Sequence, residues 1–169
     1  MIRFLVMDVD GTLTDGKIYM GQDGELFKAF DIKDGYGIKC LLPEVGVIPV
    51  VITARNSKIV ENRCREMGVS ELYQSRMNKL ETLQQVLRTY SELDNTEYTL
   101  KNVAYIGDDI LDLQCIEPVK ENGGFTACPA DAVDEVKEIV NYICKKNAGE
   151  GAVRELIERL KTYKQDVWN

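Results

Sequence analysis

The stretch Ile2-Arg3-Phe4-Leu5-Val6-Met7-Asp8-Val9-Asp10-Gly11-Thr12 decides the reading of the fold. Ile2 to Val9 is a short, nearly unbroken apolar run, the pattern of a strand buried on both faces. In open α/β sheets, sites form beyond the carboxyl ends of the strands. Residues two apart on a strand share a face, so Asp8 and Asp10 can serve one site. Two carboxylates this close repel one another unless a cation or a shared proton intervenes. The pentapeptide Asp8 to Thr12 is also open to a plainer reading, a strand-ending turn with an Asx cap.

The same pattern repeats along the chain. Val47-Ile48-Pro49-Val50-Val51-Ile52 and Val103-Ala104-Tyr105-Ile106 read as buried strands, and Leu72-Tyr73 and Phe125-Thr126-Ala127 as shorter ones. Between them lie helix-period stripes: Leu80, Leu83, Val86, Leu87 and Tyr90; Val153, Leu156, Ile157 and Leu160; and, more weakly, Ile59, Val60, Cys64 and Met67. Strands alternating with helices predict an α/β fold with a doubly wound, Rossmann-like parallel sheet and helices on both faces. The length of 169 residues suits one domain spanning 1–169. Two stretches break the alternation. Lys17 to Phe30, with Gly21-Gln22-Asp23-Gly24 at its centre, reads as a β-hairpin inserted directly after the first strand. Ser91 to Lys101 is polar and reads as a surface loop.

Composition narrows the function. The formal net charge of −7 argues against nucleic acid and against an anionic membrane surface as partners. No apolar run reaches the roughly 20 residues of a membrane-spanning helix. The N-terminal apolar run is too short and too soon acidic for a signal peptide, so a cytoplasmic protein is expected. The five cysteines are widely spaced and are expected to be reduced core thiols. There is no histidine, which excludes Ser-His-Asp and Cys-His catalysis and any His-ligated zinc site. Acid–base work must then fall to carboxylates, Lys, Tyr or Cys.

Ile106-Gly107-Asp108-Asp109-Ile110-Leu111-Asp112 follows a later strand much as the first acidic pair follows its own. Capping of a helix N-terminus is one reason for such acids. Two acidic strand ends in one sheet give another, a hard cation held by carboxylate and water oxygens, for which magnesium is suited. Thr53 ends the run Val47 to Ile52 and is followed by Ala54-Arg55. Its hydroxyl and the neighbouring N–H groups can receive phosphate oxygens, although threonine is also common at strand ends. Lys79 opens the helix that carries Leu80 and Leu83. A cation there opposes the helix dipole and is better explained by an anion or carboxylate cluster facing it.

The order D-x-D-G-T, Thr, Lys, G-D-D-x-x-D resembles the haloacid dehalogenase superfamily of phosphatases, and the four motifs span most of the chain. The resemblance implies Asp8 as nucleophile and Asp10 as general acid and base. It implies Thr53 and Lys79 as catalytic residues that bind the transferring phosphoryl group. A magnesium ion is implied on Asp8, Asp108 and Asp109 and on the backbone carbonyl of Asp10, with Asp109 and Asp112 orienting metal waters and Lys79. The stretches between Asp10 and Thr53 and between Thr53 and Lys79 are too short to hold a cap domain.

Local runs narrow the resemblance. Asp8 to Gly16, Ile32-Lys33-Asp34-Gly35-Tyr36-Gly37, Val60-Glu61-Asn62-Arg63-Cys64, Leu72-Tyr73-Gln74 with Asn78-Lys79-Leu80, and Gly149 to Glu155 are similar to the capless 3-deoxy-D-manno-octulosonate 8-phosphate phosphatase group. The chain departs from that group at Thr53-Ala54-Arg55, where Thr-Gly-Arg is usual, and at Ala148-Gly149-Glu150-Gly151. The group implies an eight-carbon keto-sugar acid phosphate as substrate, with Arg55 favouring it over a nine-carbon sialic-type acid phosphate. Substrate contacts would come from Thr53, Ala54, Arg55, Lys79 and Arg63, the last equally readable as a solvated helix-face arginine. A homotetramer is expected, in which hairpins associate and the Gly151-Ala152-Val153-Arg154 segment helps close neighbouring sites. The run Ile18-Tyr19-Met20 and the pair Leu26-Phe27 put apolar groups on both faces of the hairpin, which points the same way. A phosphoacceptor receiver domain would end a middle strand with Asp, where this chain has Thr53. A catalytically silent oligomerisation domain remains the alternative outside enzymology.

Overall fold

Alternation along the first strand divides the protein into two hydrophobic layers. Phe4 and Val6 pack into one layer, and Leu5, Met7 and Val9 into the other, as expected where successive side chains leave opposite faces. The computed structural model describes residues 1–168, with side chains to residue 162. The elements run in the order β1 (Phe4–Met7), β2 (Tyr19–Gly21), β3 (Gly24–Phe27), α1 (Ile32–Tyr36), a π-helical turn (Gly37–Leu41), α2 (Leu42–Glu44), β4 (Ile48–Ile52), α3 (Lys58–Glu66), β5 (Glu71–Tyr73), α4 (Lys79–Asp94), β6 (Val103–Ile106), α5 (Leu113–Glu121), β7 (Phe125–Cys128), α6 (Asp134–Lys137), β8 (Tyr142–Ile143) and α7 (Ala152–Trp168).

The main sheet has six parallel strands in the order β5-β4-β1-β6-β7-β8. The order reverses at β1, whose neighbours β4 and β6 lead outward on either side. That is the position at which a doubly wound sheet opens a crevice at its carboxyl edge. Leu5 and Met7 pack with Ile38, Leu42, Val60, Cys64 and α7 residues Val153, Leu156 and Ile157. Phe4 and Val6 pack with Leu83, Val86 and Leu87 of α4, Cys115, Ile116 and Val119 of α5, and Val136 of α6. The helical stripes read from the sequence are therefore the buried faces of α3, α4 and α7. Burial at roughly 25 cal/mol per Å² of apolar surface is the main source of cohesion.

Two boundaries differ from the sequence reading, and one strand is absent from it. The first strand ends at Met7, so Asp8 and Val9 lie past its last residue. The polar stretch from Ser91 begins as helix, because α4 continues to Asp94 and stops only where Asn95 turns left-handed at φ 47°. Its polarity is that of an exposed last turn, and Tyr98 then folds back edge-on against Phe4 with ring centroids 5.2 Å apart. The edge strand β8 has too few residues to show a period. Four of the five cysteines are buried and reduced as expected; Cys40, on the π-helical turn, is exposed instead.

β2 and β3 form a separate two-stranded antiparallel ribbon with Tyr19 opposite Phe27 and Gly21 opposite Gly24. A bridge between Thr14 and Phe30 closes its base, and Tyr19 stacks on Phe27 at 4.3 Å between centroids. Ile18, Met20, Leu26 and Phe27 are exposed. Among the described residues, no helix is long and apolar enough to cross a membrane.

Candidate active site

Parity along β1 aims Asp8. Two residues on from Val6, its carboxylate emerges on the side of α4 and α5. There Lys79, the first residue of α4, donates from Nζ to Asp8 Oδ1 at 2.7 Å and to Asp112 Oδ1 at 2.7 Å. All three side chains are nearly excluded from solvent. Burial alone would pull the Lys79 ammonium down, but the two carboxylates outweigh it and raise its pKa above the ordinary value. The lysine that sits badly with its own helix dipole is thus held by a carboxylate cluster.

Asp112 is fully engaged by protein donors. Its Oδ1 also accepts from the Tyr105 hydroxyl at 2.7 Å, and its Oδ2 accepts from the backbone N–H groups of Asp108 at 3.0 Å and Asp109 at 3.3 Å. Its work is to fix Lys79 and to shape the turn after β6. That turn needs Gly107, because a Cβ there would fall 2.3 Å from Asp112 Cγ. Asp108 faces the first loop, accepting from the Thr12 hydroxyl at 2.8 Å on Oδ1. Gly11, at φ 90°, lets the two loops meet; a Cβ there would lie 2.0 Å from Asp108 Oδ2.

Asp8, Asp108 and Asp112 each bring a carboxylate oxygen to within 4.8 Å of the other two. Burial first, and then the charge of Asp112, pushes the Asp8 carboxyl up to about 7 despite Lys79. Burial, followed by the charge of Asp8, pushes Asp108 up to about 8. Such carboxyls stay ionised together only if a cation joins them. The donor set is all oxygen, which fits a hard divalent cation and not a soft one. Since Asp112 is occupied by four donors, Asp8 and Asp108 are the side chains fitted to ligate such an ion. The sequence reading put Asp109 among the metal ligands. Its carboxylate instead caps the following turn, accepting from Ile110 N at 2.7 Å, and the residue is exposed. Asp112, read as orienting Lys79, accepts from its Nζ at 2.7 Å.

Asp10, two residues on from Asp8, belongs to a second network. Its Oδ1 accepts from Nζ of Lys28, which leaves β3. Lys28 Nζ also lies 2.8 Å from Glu25 Oε1. Glu25 in turn accepts from the Ser57 hydroxyl at 2.6 Å and from Arg55 at 3.4 Å. Arg55 Nε comes within 3.9 Å of Asp10 Oδ2. The hairpin is therefore bonded by side chains both to the first acidic loop and to the loop after β4.

That second loop carries the other expected residues. Thr53 is buried at the carboxyl end of β4, adjacent to β1 in the sheet, with its N–H given to Tyr73 O and its hydroxyl accepting from Arg55 N at 3.3 Å. Ala54 is half-buried beside it, and Arg55 is exposed and reaches toward Asp10. Arg63 lies elsewhere. It pairs with Glu66 at 2.8 Å, donates to Asp31 O at 3.4 Å and stacks over the Phe30 ring. Arg154 donates its N–H to Asp34 Oδ1 at 2.7 Å and lays its guanidinium over Tyr36.

Four residues of this site escaped the sequence reading. Thr12 lay inside the quoted motif without a role. Tyr105 passed as one more apolar strand residue, although a buried tyrosine hydroxyl needs a partner. Lys28 and Glu25 lay inside the hairpin stretch without a role. The only signal was that Lys28 interrupts an apolar run from Leu26 to Phe30.

No protein-family model matches the chain. The chain is 41% identical over 159 residues to the 3-deoxy-D-manno-octulosonate 8-phosphate phosphatase KdsC of Escherichia coli (strain K12), covering 94% of this chain and 79% of the relative. The crystal structure of 3-deoxy-D-manno-octulosonate 8-phosphate phosphatase from Yersinia pestis is similar, with a TM-score of 0.83 and 38% identity over 93% of this chain and 79% of that one. The phosphatase of the same name from Moraxella catarrhalis, in complex with a magnesium ion, a phosphate ion and a KDO molecule, has a TM-score of 0.81 and 34% identity over 94% of this chain and 84% of that one.

Proposed function

Because the chain belongs to the 3-deoxy-D-manno-octulosonate 8-phosphate phosphatases, phosphoric monoester hydrolases of the haloacid dehalogenase type, we propose that it hydrolyses 3-deoxy-D-manno-octulosonate 8-phosphate with Asp8 as nucleophile. The observation that carries this reading is the placement of Asp8. It is a buried carboxylate at a strand end, held on one side by Lys79 and faced on the other by Asp108.

A bound magnesium ion, held by Asp8 and Asp108, would neutralise repulsion between the carboxylate and the phosphate and polarise the phosphoryl oxygens. Asp8 attacks phosphorus, and the bond to the sugar oxygen breaks. Asp10 supplies a proton to that oxygen, so the sugar acid leaves as an alcohol. Asp10 then takes a proton from water as the water attacks the aspartyl phosphate, and Asp8 is restored. Lys79, kept charged by Asp112, and the Thr53 hydroxyl with its neighbouring N–H groups stabilise the equatorial oxygens. Arg55, exposed and within 3.9 Å of Asp10, is the proposed contact for the anionic sugar acid. A nine-carbon acid phosphate is the second reading, and its discrimination rests on Arg55.

The protein is proposed to work in the cytoplasm as a homotetramer. Ile18, Met20, Leu26 and Phe27 are exposed on a ribbon of two short strands, and a second copy of the same ribbon would cover them. The deciding experiment is release of inorganic phosphate from a panel of phosphorylated sugar acids with magnesium present. A higher kcat/KM for the eight-carbon substrate than for the nine-carbon one is expected. Preference for a simple hexose phosphate over both would overturn the assignment.

A further inference from the structure

The hairpin does more than present an apolar surface. Lys28 leaves β3 and turns its side chain inward, where the side chain is only 1% exposed. Ammonium groups are seldom buried this far unless paired. Here the pairing is double. Nζ donates to Asp10 Oδ1 and lies 2.8 Å from Glu25 Oε1. Glu25 is itself fixed by the Ser57 hydroxyl at the start of α3 and by Arg55. The lysine therefore stands on a braced carboxylate and grips one oxygen of Asp10.

The other oxygen of Asp10 is different. Oδ2 is buried and has no hydrogen-bond partner among the described residues. Arg55 Nε is near it at 3.9 Å, an ion-pair distance but too long for a hydrogen bond. A buried carboxylate oxygen without a donor costs stability, so Oδ2 has hydrogen-bonding capacity left for a group that the substrate brings.

We propose that Lys28 is a positioning residue for the phosphatase reaction: by holding Oδ1 it fixes the Asp10 carboxylate with Oδ2 turned to the leaving oxygen, so that Oδ2 is the atom that carries the proton. The inference rests on the general acid–base role of Asp10 given above. In the first half-reaction the electrons of the breaking P–O bond pass to the sugar oxygen, which takes the proton from Oδ2. In the second, Oδ2 takes a proton from the attacking water as the P–O bond to Asp8 breaks. Lys28 exchanges no proton in either step. It removes the choice between two equivalent oxygens and the rotation that the choice would allow, which is an orientation effect. The hairpin thereby becomes part of the catalytic apparatus of its own subunit, independently of any partner it meets.

A leaving-group comparison tests this, because an alkoxide needs the proton at departure and p-nitrophenolate does not. The parameter is kcat/KM, which reports only steps through departure of the leaving group and so excludes hydrolysis of the aspartyl phosphate. The variants are Lys28→Met, Lys28→Arg and Asp10→Asn, each in the full chain with magnesium. For Lys28→Met, kcat/KM with the sugar acid phosphate is expected to fall by about 30- to 100-fold and with p-nitrophenyl phosphate by less than about 3-fold. Lys28→Arg should recover part of the loss. If Lys28→Met does not fold, Lys28→Gln is measured in its place with the same expectation. Equal losses with both substrates, or no loss with either, overturn the inference. Asp10→Asn is the reference. If it discriminates between the two leaving groups and the Lys28 variants do not, this inference alone fails. If Asp10→Asn does not discriminate, the acid–base role of Asp10 fails and this inference with it.

Discussion

Lys79 Nζ is 2.7 Å from Asp8 Oδ1 and 2.7 Å from Asp112 Oδ1, so one buried ammonium joins the end of β1 to the turn before α5. The pair is a structural tie as well as a catalytic one, because each carboxylate would otherwise be buried without a cation. Removing one member of such a pair typically costs about 3–5 kcal/mol. Lys79→Met is therefore expected to lose measurable turnover and, in metal-free protein, to lower the free energy of unfolding in urea by about 3 kcal/mol. The lower end of the range applies because Asp8, raised to about 7, can take up a proton when the lysine is gone. A metal-free variant within about 1 kcal/mol of the parent would contradict the buried tie.

Asp8→Asn is expected to abolish turnover while leaving the fold intact, since an amide lacks the anionic oxygen needed to attack phosphorus. Thermal unfolding and steady-state phosphate release on the same preparation check both halves. Asp10→Asn is expected to lose roughly 10²–10⁴ in rate, the scale of general acid–base catalysis. Ordinary multiple-turnover rates in a verified Asp8→Asn preparation would reject the nucleophile.

Exhaustive chelation is expected to remove activity, and magnesium to restore it. The physical motive is the meeting of Asp8 and Asp108, both raised by burial and by neighbouring acids. Magnesium is also expected to raise the midpoint of thermal unfolding, because binding to the folded state alone stabilises it by mass action. Asp108→Asn should abolish that shift. Asp109→Asn should retain most of it, since the Asp109 carboxylate caps its own turn. Equal losses in the two variants would return Asp109 to the ligand set.

Asp34 gives a pH dependence whose sign can be worked out. Burial, opposed by the Arg154 N–H and aided by the charge of Asp31, raises its carboxyl to about 6 from 3.8. Between these values the folded state binds more protons than the unfolded one, so its contribution falls as pH rises and is lowest above about 6. Asp34→Asn keeps an acceptor for the Arg154 N–H without the buried charge. The stability of the parent relative to Asp34→Asn should therefore decline from pH 4 to pH 6, by about 2–3 kcal/mol at most, and then level off. A difference that is flat or rising across that interval would refute the assignment. Denaturant melts of both proteins at several pH values supply the comparison.

Analytical ultracentrifugation is expected to find a species near four times the 19.1 kDa chain mass. The paired substitution Met20→Asp and Leu26→Asp should shift it toward the monomer, because both side chains are exposed on the ribbon and neither belongs to the Lys28 network. A fully active monomer in the unsubstituted protein would reject the assembly and the sharing of sites between subunits.

The order of strands and helices was legible in local patterns because each needs only a few neighbours to show itself. Runs such as Val103 to Ile106 and stripes such as Leu83, Val86 and Leu87 carry their period within a turn or two. The motifs likewise marked where the chemistry would gather, at the ends of β1, β4 and β6 and at the start of α4. The short strand β8 and the length of α4 were harder, since a polar last turn of a helix and a polar loop have the same composition.

What only the tertiary structure decided is which groups are spent on one another. Asp109 and Asp112 lie in one acidic turn, and no sequence rule separates an exposed cap from the carboxylate that anchors Lys79. Lys28 and Asp10 are likewise brought together by the return of a hairpin over its own strand, and Arg63 is drawn to Phe30 and Asp31. Periodicity acts over a few residues and is written in the chain. The partner of a buried charge is set by a distance through space, and that distance exists only once the sheet has brought the loops after β1, β4 and β6 to one edge.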